Sequence, residues 1–249
     1  MNHSRKLLAA LLALSILAAG CGRESSGNVT SHEESISSSA PSESVESSSS
    51  QEEPSSAVDK EGWHLRLVNP THALEKELDI ELTEIGGYKF DARIADAVNA
   101  LLAAAQEDGV SLAIISGYRT MDRSRTLYTN KVQEYLNAGY PQAEAEAEAA
   151  KWVAPPGTSE HHTGLAMDIV SGDYYTKYSD LVEAFENEPE AVWLRENCAR
   201  FGFILRFPKD KEKITGIHYE PWHFRYVGVE AAQEIMDKGL CLEEYLGET

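Results

Sequence analysis

The chain has 249 residues, a formal charge of −19 and only three cysteines. So strong an acidic excess argues against nucleic acid as a partner, because phosphates demand a basic face, although part of the charge belongs to the N-terminal segment. The length admits one domain with a sizeable core or two small ones, and with no Cys-x-x-Cys pattern a thiolate zinc site is not supported.

The first 21 residues, MNHSRKLLAALLALSILAAGC, run from a short basic start (Arg5, Lys6) through an apolar stretch to small residues and a cysteine. This is the pattern of an export signal, and the apolar stretch from Leu7 to Ala19 is too short to span a bilayer comfortably. Ala18, Ala19 and Gly20 resemble the cleavage box of bacterial lipoproteins, with the large aliphatic residue, Leu17, one place early. The expectation is an exported protein held by a lipid on Cys21 at the outer face of the cytoplasmic membrane. Residues 22–60 are serine and glutamate with scattered proline, too poor in apolar surface to offset the entropy of ordering, and read as an acidic tether. A single domain is expected over 61–249.

Within that domain, WHLRLVN (63–69) opens the ordered region, and Ile94, Val98, Leu101 and Leu102 recur at helical spacing between Asp91 and Glu107, with Gly109 as a stop. Val110–Ile115 reads as a buried strand that delivers SGYRT at its end, and Met121–Gly139 as a helix with Leu127, Val132 and Tyr135 on one side. PQAEAEAEAAKWV alternates like a strand, yet alanine and glutamate favour helix and Pro141 suits a first turn, so a helix is expected. GLAMDIV (164–170) reads as a short strand, Tyr178–Phe185 and Pro189–Arg200 as helices, and FGFILRF (201–207) as a strand. GIHYEPWHFRYVG reads as a strand interrupted at Pro221, and VEAAQEIMDKG as a closing helix. Without regular βαβ alternation, these elements point to an α+β fold, a small and mostly antiparallel sheet flanked by helices. An oxidising compartment would permit a Cys198–Cys241 bridge, but buried thiols serve as ordinary core residues and that reading is preferred.

His161 and Asp168 stand seven residues apart around Gly164, so a tight turn entering a strand can swing both to one point. A catalytic zinc takes three such ligands and keeps a fourth position open. The richest source of the third is HYEPWHF, where Glu220 precedes His223 by three residues. The imidazole could ligate while the carboxylate stays free to move a proton, which is the division that metal-assisted amide hydrolysis needs. His162 and His218 are metal-competent too.

Ser159, His161, Gly164, Ala166 and Asp168 match S-x-H-x-x-G-x-A-x-D, and Glu220, Trp222, His223 and Arg225 match E-x-W-H-x-R. Together with SGYRT, these motifs resemble the zinc D-Ala-D-Ala metallopeptidases, which include VanY-type carboxypeptidases and the vancomycin-resistance dipeptidases, over about Val68–Leu246. The resemblance implies zinc held by His161, Asp168 and His223, with Glu220 as general base. It implies that Arg119 pairs with a substrate carboxylate or carbonyl oxygen, that Ser159 binds substrate or orients the turn, and that Tyr118 lines the pocket. His162 and His218 then become structural, Trp222 a packing residue, and Arg225 the partner of an acid. Many relatives carry glutamine where this chain has Ser124. The implied activity is removal of the terminal D-alanine from peptidoglycan stem peptides. An L,D-carboxypeptidase, a D-Ala-D-Ala dipeptidase and a catalytically silent zinc-stabilised binding protein are the alternatives.

Overall fold

In the computed structural model, which describes residues 62–248, the chain enters through a 3-10 turn at Trp63–Leu65. The expected export signal, Cys21 and the tether lie outside the described residues. A hairpin the sequence reading did not include follows, β1 (Leu82–Ile85) and β2 (Tyr88–Asp91), with Leu82 opposite Asp91 and Ile85 opposite Tyr88. Its two-residue link is Gly86-Gly87, both at positive φ (61° and 85°), the backbone that lets a tight turn follow the right-handed twist of its strands.

The helix expected from Asp91 opens as a 3-10 turn, Ala92–Ile94, capped by the Asp91 carboxylate, and continues as α1 (Ala95–Glu107). Val98, Leu101 and Ala105, spaced three and four apart, are its buried face. Next come β3 (Leu112–Ser116), α2 (Met121–Asn137) and α3 (Gln142–Ala150). In α3 the buried residues are Ala145 and Ala149, four apart, packed with Val132 of α2. The alanine–glutamate repeat is therefore read with period 3.6, as its propensities demand.

A buried 3-10 turn, Glu160–Thr163, feeds β4 (Ala166–Ser171), all six of whose residues are buried. The helix expected over Tyr178–Phe185 does not form. The chain makes one helical turn, α4 (Tyr174–Lys177), runs extended at Tyr178, and returns to a 3-10 turn at Glu183–Asn187. The Tyr174 hydroxyl donates to the Asp180 carbonyl and accepts from the Val182 N–H, so side chains take the backbone partners a helix would have used. Then follow α5 (Pro189–Asn197), a 3-10 turn at Cys198–Phe201, β5 (Phe203–Leu205) and the short α6 (Glu212–Thr215). The strand expected across Gly216–Gly228 shrinks to β6 (His223–Tyr226). Pro221 has no N–H to give, and the N–H groups of His218 and Glu220 go to Lys151 and Phe207 carbonyls instead of a ladder. Helices α7 (Val229–Lys238) and α8 (Leu242–Leu246) close the described chain, the second an addition to the sequence reading.

The main sheet has the order β3-β4-β6-β5, antiparallel throughout, so the fold is α+β with two small antiparallel sheets and helices. Met167 and Ile169 of β4 join Val98 and Leu101 of α1, Leu194 of α5 and Phe224 of β6 in the principal core. Burying each such side chain stabilises the fold by about 1.5–3 kcal/mol. Because successive strand residues face opposite ways, the same packing turns Asp168 to the other side of β4. Cys198 and Cys241 are free buried thiols, each a small core residue.

Candidate metal centre and substrate cavity

Register across three neighbouring strands assembles the site. Asp168 of β4 pairs with His223 of β6 on one side and Ser116 of β3 on the other, where a bulge interrupts β3 between Ile114 and Ser116. Directly opposed residues place their side chains within reach, so the sheet itself sets Asp168 beside His223. His161 arrives from the Glu160–Thr163 turn, which ends at Gly164 in the left-handed region (φ 69°). Its carbonyl accepts from the Arg119 N–H and its Nδ1 bonds the Gly117 carbonyl at 2.8 Å, tying that turn to the segment after β3.

The result is a buried cluster in which His161, Asp168 and His223 each offer one ligand atom, all within 4.8 Å of one another. His161 Nε2 lies 3.4 Å from Asp168 Oδ2, and His223 Nδ1 lies 3.1 Å from Asp168 Oδ1. Ligand atoms around a tetrahedral ion with bonds near 2.0–2.1 Å stand about 3.4 Å apart, so these separations suit a small divalent cation. Asp168 Oδ1 is buried without a hydrogen-bond partner among the described residues, and two imidazoles plus a carboxylate are the donor set zinc prefers. The residues present therefore fit the ion.

Electrostatics agree. Burial pushes the Asp168 carboxyl up, but the facing His161 and His223 rings outweigh it and hold Asp168 well below the usual carboxylate range. Burial, with Arg119 nearby, pulls His161 down to about 4, so it is a neutral imidazole able to ligate. Burial also disfavours charge on His223, yet Asp168, Glu160 and Glu220 around it win and raise it to about 9. His223 thus sits where a positive charge is wanted. Glu220 has one oxygen 3.5 Å from His223 Nδ1, and burial next to Asp168 raises its carboxyl to about 8.

These groups line a cavity of about 620 Å³, together with Arg119, Tyr118 and Ser159. Arg119 Nη2 donates to Ser116 Oγ at 3.0 Å and lies 3.7 Å from Asp168 Oδ2. Tyr118 is a wall residue whose hydroxyl proton is committed to Glu77 Oε2, and burial with that partner pushes it up to about 12. Ser159 is buried beside the turn, and its side chain does not cap it. The other histidines are elsewhere. His162 Nδ1 donates to the Arg119 carbonyl while its Nε2 accepts from the Gly157 N–H, and His218 lies against Trp152, ring centroids 4.6 Å apart and planes tilted by 39°. Ser124 is buried within α2, whereas its neighbour Arg123 reaches the cavity wall. Trp222 packs in the principal core and also touches the cavity. Tyr175 and Trp152 join the cavity lining without any mark in the sequence to announce them.

Behind His223 lies a charge network the sequence did not reveal. Arg225 Nη1 and Arg206 Nε both donate to Glu160 Oε1, at 2.7 and 2.8 Å, and Arg206 also forks onto Glu243. The expected acid partner of Arg225 is therefore Glu160.

Against known proteins, residues 87–229 match the family model VanY, D-alanyl-D-alanine carboxypeptidase. The chain belongs to that family. It is 45% identical over 189 residues to a D-alanyl-D-alanine carboxypeptidase of Enterococcus faecalis (strain ATCC 700802 / V583), covering 76% of this chain and 67% of that relative. The chain thus spans about two thirds of that VanY-family relative's length. The solved structure of VanYB in complex with D-alanine-D-alanine superposes with a TM-score of 0.67 at 45% identity, covering 75% of this chain and 98% of that one. A vancomycin-resistance D,D-pentapeptidase VanY mutant in complex with Zn(II) gives the same TM-score and identity, covering 74% and 99%.

Proposed function

We propose that this protein is a zinc-dependent D,D-carboxypeptidase that removes the C-terminal D-alanine from peptidoglycan stem peptides. The observation that carries the reading is the buried His161–Asp168–His223 cluster with an unligated carboxylate, Glu220, beside it in a cavity that also holds a guanidinium. Family membership and the relatives complexed with D-alanine-D-alanine and Zn(II) support it.

His161 through Nε2, Asp168, and His223 through Nδ1 would hold the ion. Bound zinc supplies Lewis acidity, which polarises a scissile carbonyl and brings the pKa of water to about 7. The chain's own residues do the rest. Glu220 accepts a proton from the attacking water and returns it to the departing amine, so that one water and one amide become a carboxylate and a free amino acid. Arg119 binds the terminal carboxylate of the peptide, its planar fork fixed on one side by Ser116. Ser159 and Tyr118 shape the wall beside it.

In this reading the N-terminal segment exports the protein, Cys21 bears a lipid, and the acidic tether spaces the domain from the outer face of the membrane. The composition of residues 1–60 supports it.

The test is mass spectrometry of muramyl pentapeptide and tetrapeptide incubated with the purified chain, with and without chelator. Loss of one alanine from the pentapeptide only, abolished by chelator and restored by zinc, is expected. Cleavage of the tetrapeptide alone would make it an L,D-enzyme, and preference for free D-Ala-D-Ala would make it a dipeptidase. Zinc binding with both stem peptides left intact would leave only a binding protein.

A further inference from the structure

The two arginines behind the site are served by two acids in different ways. Glu243 uses both oxygens on Arg206, Oε1 to Nη2 at 2.6 Å and Oε2 to Nη1 at 3.0 Å, with Asn69 Nδ2 donating to Oε1. Glu160 receives both Arg206 and Arg225 on Oε1 alone. Its Oε2 is buried, has no hydrogen-bond partner among the described residues, and stands 3.8 Å from His223 Nε2, an atom equally buried and unpartnered. Were neutralising the arginines its whole task, Glu160 would fork both oxygens onto them as Glu243 does.

His161 shows what the second nitrogen of such an imidazole requires. Its Nδ1 bonds the Gly117 carbonyl, which leaves Nε2 bare towards Asp168. His223 faces the cluster with the other nitrogen, Nδ1, and so its Nε2 needs an acceptor of its own.

We propose that Glu160 is a positioning residue for the metal centre: clamped through Oε1 by Arg206 and Arg225, it accepts the Nε2–H of His223 on Oε2. This fixes the ring so that Nδ1 is the ligand atom. A shift of about 1 Å closes the pair to hydrogen-bond distance. Glu160 is 3% exposed at the cavity wall, and its role in the centre runs through His223. The two arginines hold the carboxylate in place, and Arg225 in turn is anchored by the Arg66 and His64 carbonyls at 2.8 and 3.1 Å. The assignment rests on the metal-site reading above.

The experiment compares Glu160→Gln with Glu243→Gln in the full chain, measuring zinc affinity by chelator competition and apo-protein stability by thermal melting. Both variants unbalance the same arginine pair, so a purely structural role predicts similar losses of stability and no separate loss of zinc affinity. The expected result is a zinc affinity about 10–100-fold weaker in Glu160→Gln only. A direct reading on the wild-type zinc-loaded chain does not depend on either variant folding. Long-range proton–nitrogen NMR should find His223 protonated at Nε2, with that proton slow to exchange. Equal zinc affinity in the two variants, or a His223 protonated at Nδ1, would overturn the assignment while leaving the metal site standing. A wild-type chain that binds no zinc would overturn both.

Discussion

Gly164 sits between His161 and Asp168, and the structure gives its replacement a definite cost. Its φ of 69° lies in the left-handed region, and a Cβ built there would stand 2.7 Å from the Asp91 backbone nitrogen and 3.3 Å from the Asp91 Cα. Left-handed backbone costs a residue with a side chain about 1–2 kcal/mol. The overlap is with main chain, which cannot swing aside, and forced insertion of a carbon into packed surroundings adds about 1–3 kcal/mol. Gly164→Ala should therefore destabilise the apo protein by about 2–5 kcal/mol, lowering the melting temperature by about 5–15 °C for a domain of this size. Gly109→Ala is the matched control, since Gly109 also has positive φ (74°) but nothing within 4 Å of a built Cβ. It should show the backbone part alone. Relief of the overlap must move either Asp91, whose N–H donates to the Gly164 carbonyl, or the turn bearing His161, so zinc affinity should fall too. Calorimetry on both apo variants and a zinc titration read these effects. Equal melting temperatures for the two variants would refute the steric argument.

Glu220→Ala should retain one zinc per chain by elemental analysis while kcat falls by about 10²–10⁴, the loss of a general base; full turnover would end that role. His161→Ala should lower zinc content and erase the rise in melting temperature that zinc produces in the wild type, because binding the native state alone is what stabilises. Cys198 and Cys241 have thiols that burial pushes up to about 12 and about 11, so neither should react with a thiol reagent at pH 8 until the chain unfolds. Rapid labelling of either in the native protein would contradict their core placement. Burial pushes the Asp91 carboxyl up, but its bonds with Arg93 outweigh this and set it below the usual aspartate value. Its contribution is thus complete above the unfolded-state value and lost as pH falls through the folded one, and acid titration of Asp91→Asn should show a shallower decline in stability than wild type.

Much was legible from local pattern. Ile94, Val98, Leu101 and Leu102 declare their helix by spacing, and α3 follows from the propensities of alanine and glutamate although its alternation mimics a strand. The residues of the cluster stood out because His161 and Asp168 interrupt a stretch otherwise fit for a core. Where local pattern failed, a distant or side-chain partner had intervened, as when Tyr174 took the backbone groups that would have extended a helix through Tyr178.

Length, charge, the helical periods and the identity of the metal-competent side chains were determined by the sequence alone, since each is a property of residues within a few positions of one another. Which histidine completes the cluster was decided by tertiary structure, through the antiparallel register that sets His223 opposite Asp168 and leaves His162 and His218 elsewhere. The same holds for Glu160, whose arginines lie 46 and 65 residues away along the chain. A buried charge must find its counter-charge wherever the fold brings one, and no local spacing encodes that meeting.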